Sequence, residues 1–205
     1  MRIAKIERKT KETEIQVELN VDGSGKYEIS TGIGFFDHML SALSKYSLID
    51  MRITAKGDLE TGTHHTIEDV GISIGLALAK ALGEKKGIFR AGFFQYMMDD
   101  ALVESAVDLS GRGRLIFETK DGQELKYSNE VVGNLTKEFQ AEEIKEFFYG
   151  IAENSKSNIS IRLIRNGNAH HEIEASFKAF GRALRQAVEI DERVKNDIPS
   201  TKGVI

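Results

Sequence analysis

Apolar and polar residues alternate along three short stretches of the chain. Glu14-Ile15-Gln16-Val17-Glu18-Leu19, Asp50-Met51-Arg52-Ile53-Thr54 and Ser160-Ile161-Arg162-Leu163 place apolar side chains at every second position, the period of a half-buried strand. Two longer stretches change to helical spacing. Ile67, Val70, Ile74, Leu78 and Ala81 share one face of a predicted helix, and Ile173, Phe177, Phe180, Leu184 and Ala187 share one face of another. Glycine clusters at 22–26, 109–113 and 165–168 mark turns. The single proline, Pro199, stands near the C-terminus, so nothing upstream resembles a proline-rich linker.

The two predicted helices expose a repeat. His64-His65-Thr66-Ile67-Glu68 matches His170-His171-Glu172-Ile173-Glu174 at a displacement of 106, from 64 to 170. The same displacement carries Gly75-Leu76-Ala77-Leu78 onto Gly181-Arg182-Ala183-Leu184, and Ala81 onto Ala187. The turns beginning at Asp22 and Asp108 are further counterparts. Each half reads as strands, helix, strand, helix, so the expectation is an α+β fold of two duplicated layers packed together. The first half spans 1–92, the second 93–190, and a tail follows over 191–205.

Composition removes several function classes. A chain of 205 residues with 40% hydrophobic residues can bury a substantial core. Its net charge of -4, with Lys and Arg scattered, argues against a nucleic-acid partner. With no cysteine, disulfides, thiolate metal sites and cysteine nucleophiles are excluded. The N-terminal segment is charged throughout, unlike a signal peptide, and no window is apolar enough to span a membrane. A cytoplasmic protein is the expectation.

The five histidines carry the chemistry: His38, His64, His65, His170 and His171. Four of them form the repeated dyads, and metal binding explains two His-His-x-x-Glu copies better than chance placement. On a helix, His64 and Glu68 share one face at i and i+4, as do His170 and Glu174. Adjacent histidines point about 100° apart, so one dyad suits two ions better than one. The repeat predicts a counterpart of His38 ahead of the second dyad, where Glu146 stands. Glu146 has two readings, a carboxylate ligand or a solvated helix charge beside Glu142, Glu143 and Lys145. Neither His-Glu-x-x-His nor its inverse occurs, so a zinc-protease reading lacks its motif. Imidazole with carboxylate suits Mn, Fe or Co.

These residues, with several flanking segments, resemble the imidazoleglycerol-phosphate dehydratase family along nearly the whole chain. The matching segments are Thr10-Lys11-Glu12-Thr13, Thr31-Gly32-Ile33, Phe36-Asp37-His38-Met39-Leu40 and Gly57-Asp58-Leu59. They continue with His64 to Asp69, Asp108-Leu109-Ser110-Gly111-Arg112, Asn168-Ala169-His170-His171 through Arg185, and Pro199-Ser200-Thr201-Lys202-Gly203. The resemblance implies two βαβ-type halves, each a four-stranded sheet with two helices on one face. It implies a homo-oligomer, a 24-subunit shell built from trimers, with metals at subunit contacts. It puts two Mn2+ ions in each active site, with Fe2+, Co2+ or Zn2+ as other candidates. Metal ligands would fall on His38, His64, His65, Glu68, His170, His171 and Glu174, with Glu146 at the remaining position. Substrate contacts would fall on Glu12, Arg90, Arg112, Lys178, Ser200 and Lys202.

The reaction implied is loss of water from imidazoleglycerol phosphate to give imidazoleacetol phosphate in histidine biosynthesis. The proton removed is not next to a carbonyl, so no enolate can stabilise its loss. A ring bound as imidazolate can instead expel the hydroxyl from the adjoining carbon. Glu12, Glu68 and Glu174 are the candidate catalytic carboxylates, Glu12 as proton carrier. Asp69 is a candidate to orient a ligand, Glu172 is expected to face solvent, and the tail is expected to order on substrate or a neighbouring subunit. Tyr46 stands where the family commonly has a histidine, and Gly34, Gly62-Thr63 and Met97-Met98-Asp99-Asp100 also depart from its pattern. Some members of the resembled family carry a fused phosphatase domain; with both halves assigned, a monofunctional chain is the expectation. Two other readings compete: a dinuclear metallohydrolase of a phosphorylated small molecule, and a non-catalytic assembly protein cemented by metal.

Overall fold

The computed structural model describes residues 1–125 and 142–205. The first half runs β1 (Ile3–Lys9), β2 (Thr13–Asn20), β3 (Tyr27–Ser30), α1 (Gly34–Ser47), β4 (Asp50–Gly57) and α2 (His64–Leu82). The second runs β5 (Ala91–Met98), β6 (Ala101–Asp108), β7 (Arg114–Thr119), α3 (Glu143–Ser155), β8 (Asn158–Arg165) and α4 (Ala169–Val188). Each half forms a four-stranded sheet, ordered β1-β2-β4-β3 and β5-β6-β8-β7. In both sheets the closing pair, β3 with β4 and β7 with β8, is parallel and the rest antiparallel. The α+β duplication expected from the pattern is therefore what the chain forms.

Alternation decides which face of each sheet is covered. In β2, Ile15, Val17 and Leu19 are buried while Glu14, Gln16 and Glu18 face outward. The buried faces receive the helices: α2 lies on β1 and β2, and α4 on β5 and β6. The helices then pair across the halves, α2 against α3 and α1 against α4, so the core lies between the two sheets. Phe147 sits at its centre, stacked on Phe177 at 5.1 Å and edge-on to Phe36 at 5.3 Å. Each such fully buried aromatic contributes about 1.5–3 kcal/mol through the area it removes from water.

The two helix crossings are the same contact made twice. A Cβ added at Gly75 would lie 2.8 Å from the Ile151 carbonyl oxygen, and one at Gly181 would lie 3.2 Å from that of Leu43. Gly75 and Gly181 are repeat partners, as are Leu43 and Ile151, and Tyr46 and Asn154 touch the same two glycines. Left-handed residues end α1 and α3 at equivalent places, Leu48 with φ 58° and Lys156 with φ 55°. Equivalent elements are displaced by 88 in β2 and β6 (13 to 101), 108 at these caps (48 to 156) and 106 at the dyads (64 to 170). A single displacement of 106 therefore captures the last helices but misaligns the early strands.

The C-terminal tail is held by its own chain. Gly87 N–H donates to the Asp197 carbonyl at 2.8 Å, Arg90 Nη1 donates to the Pro199 carbonyl at 2.8 Å, and Ile205 packs on Gly111. These contacts tie the tail to the end of the second half. Among the described residues, no helix is long and apolar enough to cross a membrane.

Candidate functional site

The α1–α4 crossing brings the first turns of both helices together. His38 Nε2 lies 3.5 Å and His170 Nε2 3.1 Å from the same oxygen of Glu174, Oε2. Among the described residues this trio is the group whose ligand atoms all lie within 4.8 Å, the spacing of a metal site. The start of α4 is fixed locally. Asn168 Oδ1 accepts from the His170 amide at 2.9 Å, and Glu172 accepts from the Gly167 amide at 2.9 Å. Glu172 is buried, which corrects its assignment to solvent: it caps the turn that carries the dyad.

Glu174 has a second partner. Lys178 Nζ bonds its other oxygen at 2.8 Å from one turn along α4. The ammonium sits 5.4 Å from the Tyr46 ring centre and 5.2 Å from that of Tyr96, whose hydroxyls bond each other at 2.8 Å. Burial, followed by the Tyr46 hydroxyl, pushes the Tyr96 phenol up to about 12. Burial also opposes charge on Glu174, but the Lys178 bond and charge, with His38 and His170, hold its carboxyl below the ordinary glutamate value.

The equivalent place in the other half is more open. His64 Nε2 lies 3.6 Å from Glu68 Oε2, and the difference lies in the carboxylate: Glu68 is 38% exposed against 8% for Glu174, while the histidines of both places are exposed to a similar degree. Glu146, half-buried on α3, does not reach ligand spacing with His64 and Glu68 among the described residues. Ile72 and Asn154 stand where Lys178 and Tyr46 stand in the other half.

The second histidine of each dyad turns elsewhere. His65 Nδ1 lies 3.1 Å from Asp58 Oδ2, and His171 Nδ1 lies 2.7 Å from Asp100 Oδ1. Those bonds raise both histidines above their ordinary value. Glu12 stands on the Nε2 side of His65 at 3.9 Å, and Asp99 on that of His171 at 3.4 Å. Asp69, expected beside a ligand, instead accepts from Arg8 Nη1 at 2.9 Å and Thr13 Oγ1 at 2.5 Å, tying α2 to the sheet.

The remaining cations gather at the opposite end of the second half. Arg90 forks onto Asp108, with Nε 2.7 Å and Nη2 3.2 Å from its two oxygens. The tail brings Ser200 and Lys202 to this end, and the exposed Arg112 follows Asp108 in sequence. The Arg90 amide bonds the Ala187 carbonyl near the end of α4, whereas His170 begins that helix. At 1.5 Å per residue the two ends are about 25 Å apart. One copy therefore keeps its Glu174 group and its arginines well separated.

Sequence reading named the histidines, Glu174 and Lys178 but missed the contacts of Asp58, Asp100 and Tyr96. Asp58 carried a faint signal, since it falls in a matched segment just before the first dyad. Asp100 stood out only as part of a run that departs from the family pattern and Tyr96 not at all, because β5 and the turn after it meet α4 only through the fold.

Comparison with known proteins agrees along the chain. A family model described as imidazoleglycerol-phosphate dehydratase matches residues 31–184. Dehydratases of that name from Thermoanaerobacter sp. and Cereibacter sphaeroides are similar at 51% and 47% identity, each over the full length of both chains. A crystal structure of the Staphylococcus aureus dehydratase has a TM-score of 0.79 and 35% identity, covering 92% of this chain and 99% of that one. The enzyme from Pyrococcus furiosus superposes with a TM-score of 0.75 and 36% identity, covering 98% of this chain and all of that one. With the duplicated sheets, the repeated dyads and the His38–His170–Glu174 group, these likenesses make the chain a member of the imidazoleglycerol-phosphate dehydratase family.

Proposed function

We propose that the chain is a cytoplasmic hydro-lyase that converts D-erythro-imidazoleglycerol phosphate to imidazoleacetol phosphate and water in histidine biosynthesis. The observation that carries this reading is the His38–His170–Glu174 group, set in a chain that aligns from end to end with dehydratases of that name. Two imidazoles and a carboxylate form a donor set that fits Mn2+, Fe2+ or Co2+, and Mn2+ is the ion we assign. His38, His170 and Glu174 would hold one ion, and His64, Glu68 and Glu146 a second. His65 and His171 would complete the sites of neighbouring copies. When bound, such ions supply Lewis acidity that favours loss of the substrate's ring proton and departure of its hydroxyl.

The chain's own residues would do the rest. Histidines engaged as ligands cannot also be free bases, which narrows proton transfer to carboxylates or bound water, and the role is assigned to Glu12, the exposed carboxylate on the Nε2 side of His65. Lys178, fixed by Glu174 and the two tyrosines, offers a positive charge beside the bound ring or hydroxyl. Arg90, Arg112, Ser200 and Lys202 suit the phosphate, the guanidiniums by fork and the lysine as a point charge. Loss of the hydroxyl and of the neighbouring proton yields an enol, which becomes the ketone with its phosphate retained.

The distance between these groups supports a site shared between copies. About 25 Å along α4 exceeds the span of a small phosphorylated substrate, so Arg90 would serve a metal group on another copy. Exposed Phe93, Met97 and Ile116 lie on the outer face of the second sheet, where the first sheet shows Lys5, Lys9 and Glu28 at the matching positions. Apolar exposure of that kind marks a contact surface. The assembly we assign is the 24-subunit shell of trimers.

The test is incubation of metal-reconstituted protein with imidazoleglycerol phosphate, following the enolised ketone. Formation of that ketone with phosphate retained is expected. Release of inorganic phosphate would favour the metallohydrolase. No turnover with Mn2+, Fe2+, Co2+ or Zn2+, in protein that still binds metal and assembles, would leave only the cementing role.

A further inference from the structure

The second histidines of the two dyads are held in the same way by carboxylates that the repeat does not relate. His65 Nδ1 meets Asp58, which stands in the loop between β4 and α2, seven positions before it. His171 Nδ1 meets Asp100, which stands in the turn between β5 and β6, 71 positions before it. The repeat would pair Asp58 with Asn166, across equivalent strand ends, and Asp100 with Glu12, across equivalent hairpins. In the first half Glu12 instead faces the opposite nitrogen of His65. One nitrogen, one chemistry and two unrelated sources in a duplicated chain mark the contact itself as what matters. Packing inherited from duplication would have used equivalent residues.

We propose that Asp58 and Asp100 are positioning residues, which accept the Nδ1–H of His65 and His171 and so present each Nε2 as a metal donor. The proposal rests on the reading above that both histidines are ligands. An imidazole has two nitrogens, and a carboxylate on Nδ1–H fixes both the tautomer and the ring plane while making the far nitrogen more basic. The first histidines of the dyads work differently. His64 and His170 turn Nε2 toward the carboxylate one helical turn along, so the ring is set by its own helix. The carboxylates nearest the Nε2 of the second histidines, Glu12 at 3.9 Å and Asp99 at 3.4 Å, come from the sheets rather than from the same helix, and the closer contact is the one Asp58 or Asp100 makes at Nδ1. The bond also divides the labour of the hairpin carboxylates. Asp100 is spent on orientation in the second half, whereas Asp58 takes that task in the first and leaves Glu12 exposed for proton transfer.

The experiment measures Mn2+ affinity of the full-length assembled protein by titration with electron paramagnetic resonance, for the parent, Asp58→Asn, Asp100→Asn and Asp100→Glu. Each asparagine variant should lose about 10–100-fold in affinity, the usual effect of removing a ligand's supporting carboxylate. Asp100→Glu should restore most of it. In parallel, 15N spectra of the metal-free protein should show His65 and His171 as Nδ1–H tautomers, and each asparagine variant should lose that preference at its own histidine. Affinity within twofold of the parent, with the tautomers unchanged, would overturn the proposal. His65→Ala and His171→Ala separate it from the reading beneath it. If they also leave affinity unchanged, the histidines are not ligands and both ideas fall. If they lower it while the asparagine variants do not, only the positioning role falls.

Discussion

The two halves of this molecule share a fold and a crossing but not a site. At the α1–α4 crossing, His38 and His170 converge on Glu174, which is buried and bonded to Lys178 inside a pair of tyrosines. At the α2–α3 crossing, His64 faces a more exposed Glu68, and Ile72 and Asn154 replace the lysine and the first tyrosine. Both crossings rest on the same glycine contact, so backbone placement alone cannot explain the difference. Duplication delivered two equivalent frames, and substitutions at a few positions left one carboxylate buried on a lysine and the other exposed.

The largest expected effect comes from breaking what both sites depend on. Phe147 touches Phe36 of the first half and Phe177 of the second, so Phe147→Ala should cost about 3–5 kcal/mol in chemical denaturation. Both halves should unfold together; two separate transitions would show that the crossings do not couple them. A smaller effect distinguishes the sites directly. Glu174→Gln strands the Lys178 charge in its half-buried box and should destabilise the metal-free protein by about 1–3 kcal/mol. Glu68→Gln should leave the melting temperature nearly unchanged, because its side chain is 38% exposed. Equal shifts would erase the contrast.

Much of this was legible in the sequence, for reasons that can be traced to particular residues. Ile15, Val17 and Leu19 declare a one-faced strand, and the apolar stripe from Ile173 to Ala187 declares a one-faced helix, because burial imposes those periods directly. The dyads were legible because an exact short motif recurs at a constant displacement. Tyr96, Asp100 and the capping role of Glu172 were not. Each is defined by a contact between elements distant in the chain or by a local loop shape, and neither leaves a period to detect. The separation of Arg90 from His170 was hidden too, since sequence distance says nothing about which end of a helix a residue meets.

The smallest effect is one the two halves should share. His65 and His171 are both raised by their aspartates, so the metal-free fold gains stability below the ordinary histidine value of 6.5 and loses it as pH rises through the raised values. Thermal melts of the metal-free protein should therefore decline slightly from pH 6 to 8, and Asp58→Asn with Asp100→Asn should flatten the slope. An unchanged slope in that double variant would assign the decline to other groups.

A dehydratase site that joins residues about 25 Å apart in any one copy must draw on two copies, and subunit complementation detects this. Arg90→Ala and Glu174→Gln should each be nearly inactive in dehydration of imidazoleglycerol phosphate, and mixing them under subunit exchange should restore a substantial fraction of turnover, because some sites would then join an intact Glu174 to an intact Arg90 from another copy. A mixture that co-assembles yet stays as inactive as its parts would show that Arg90 and Glu174 of different copies do not share a site.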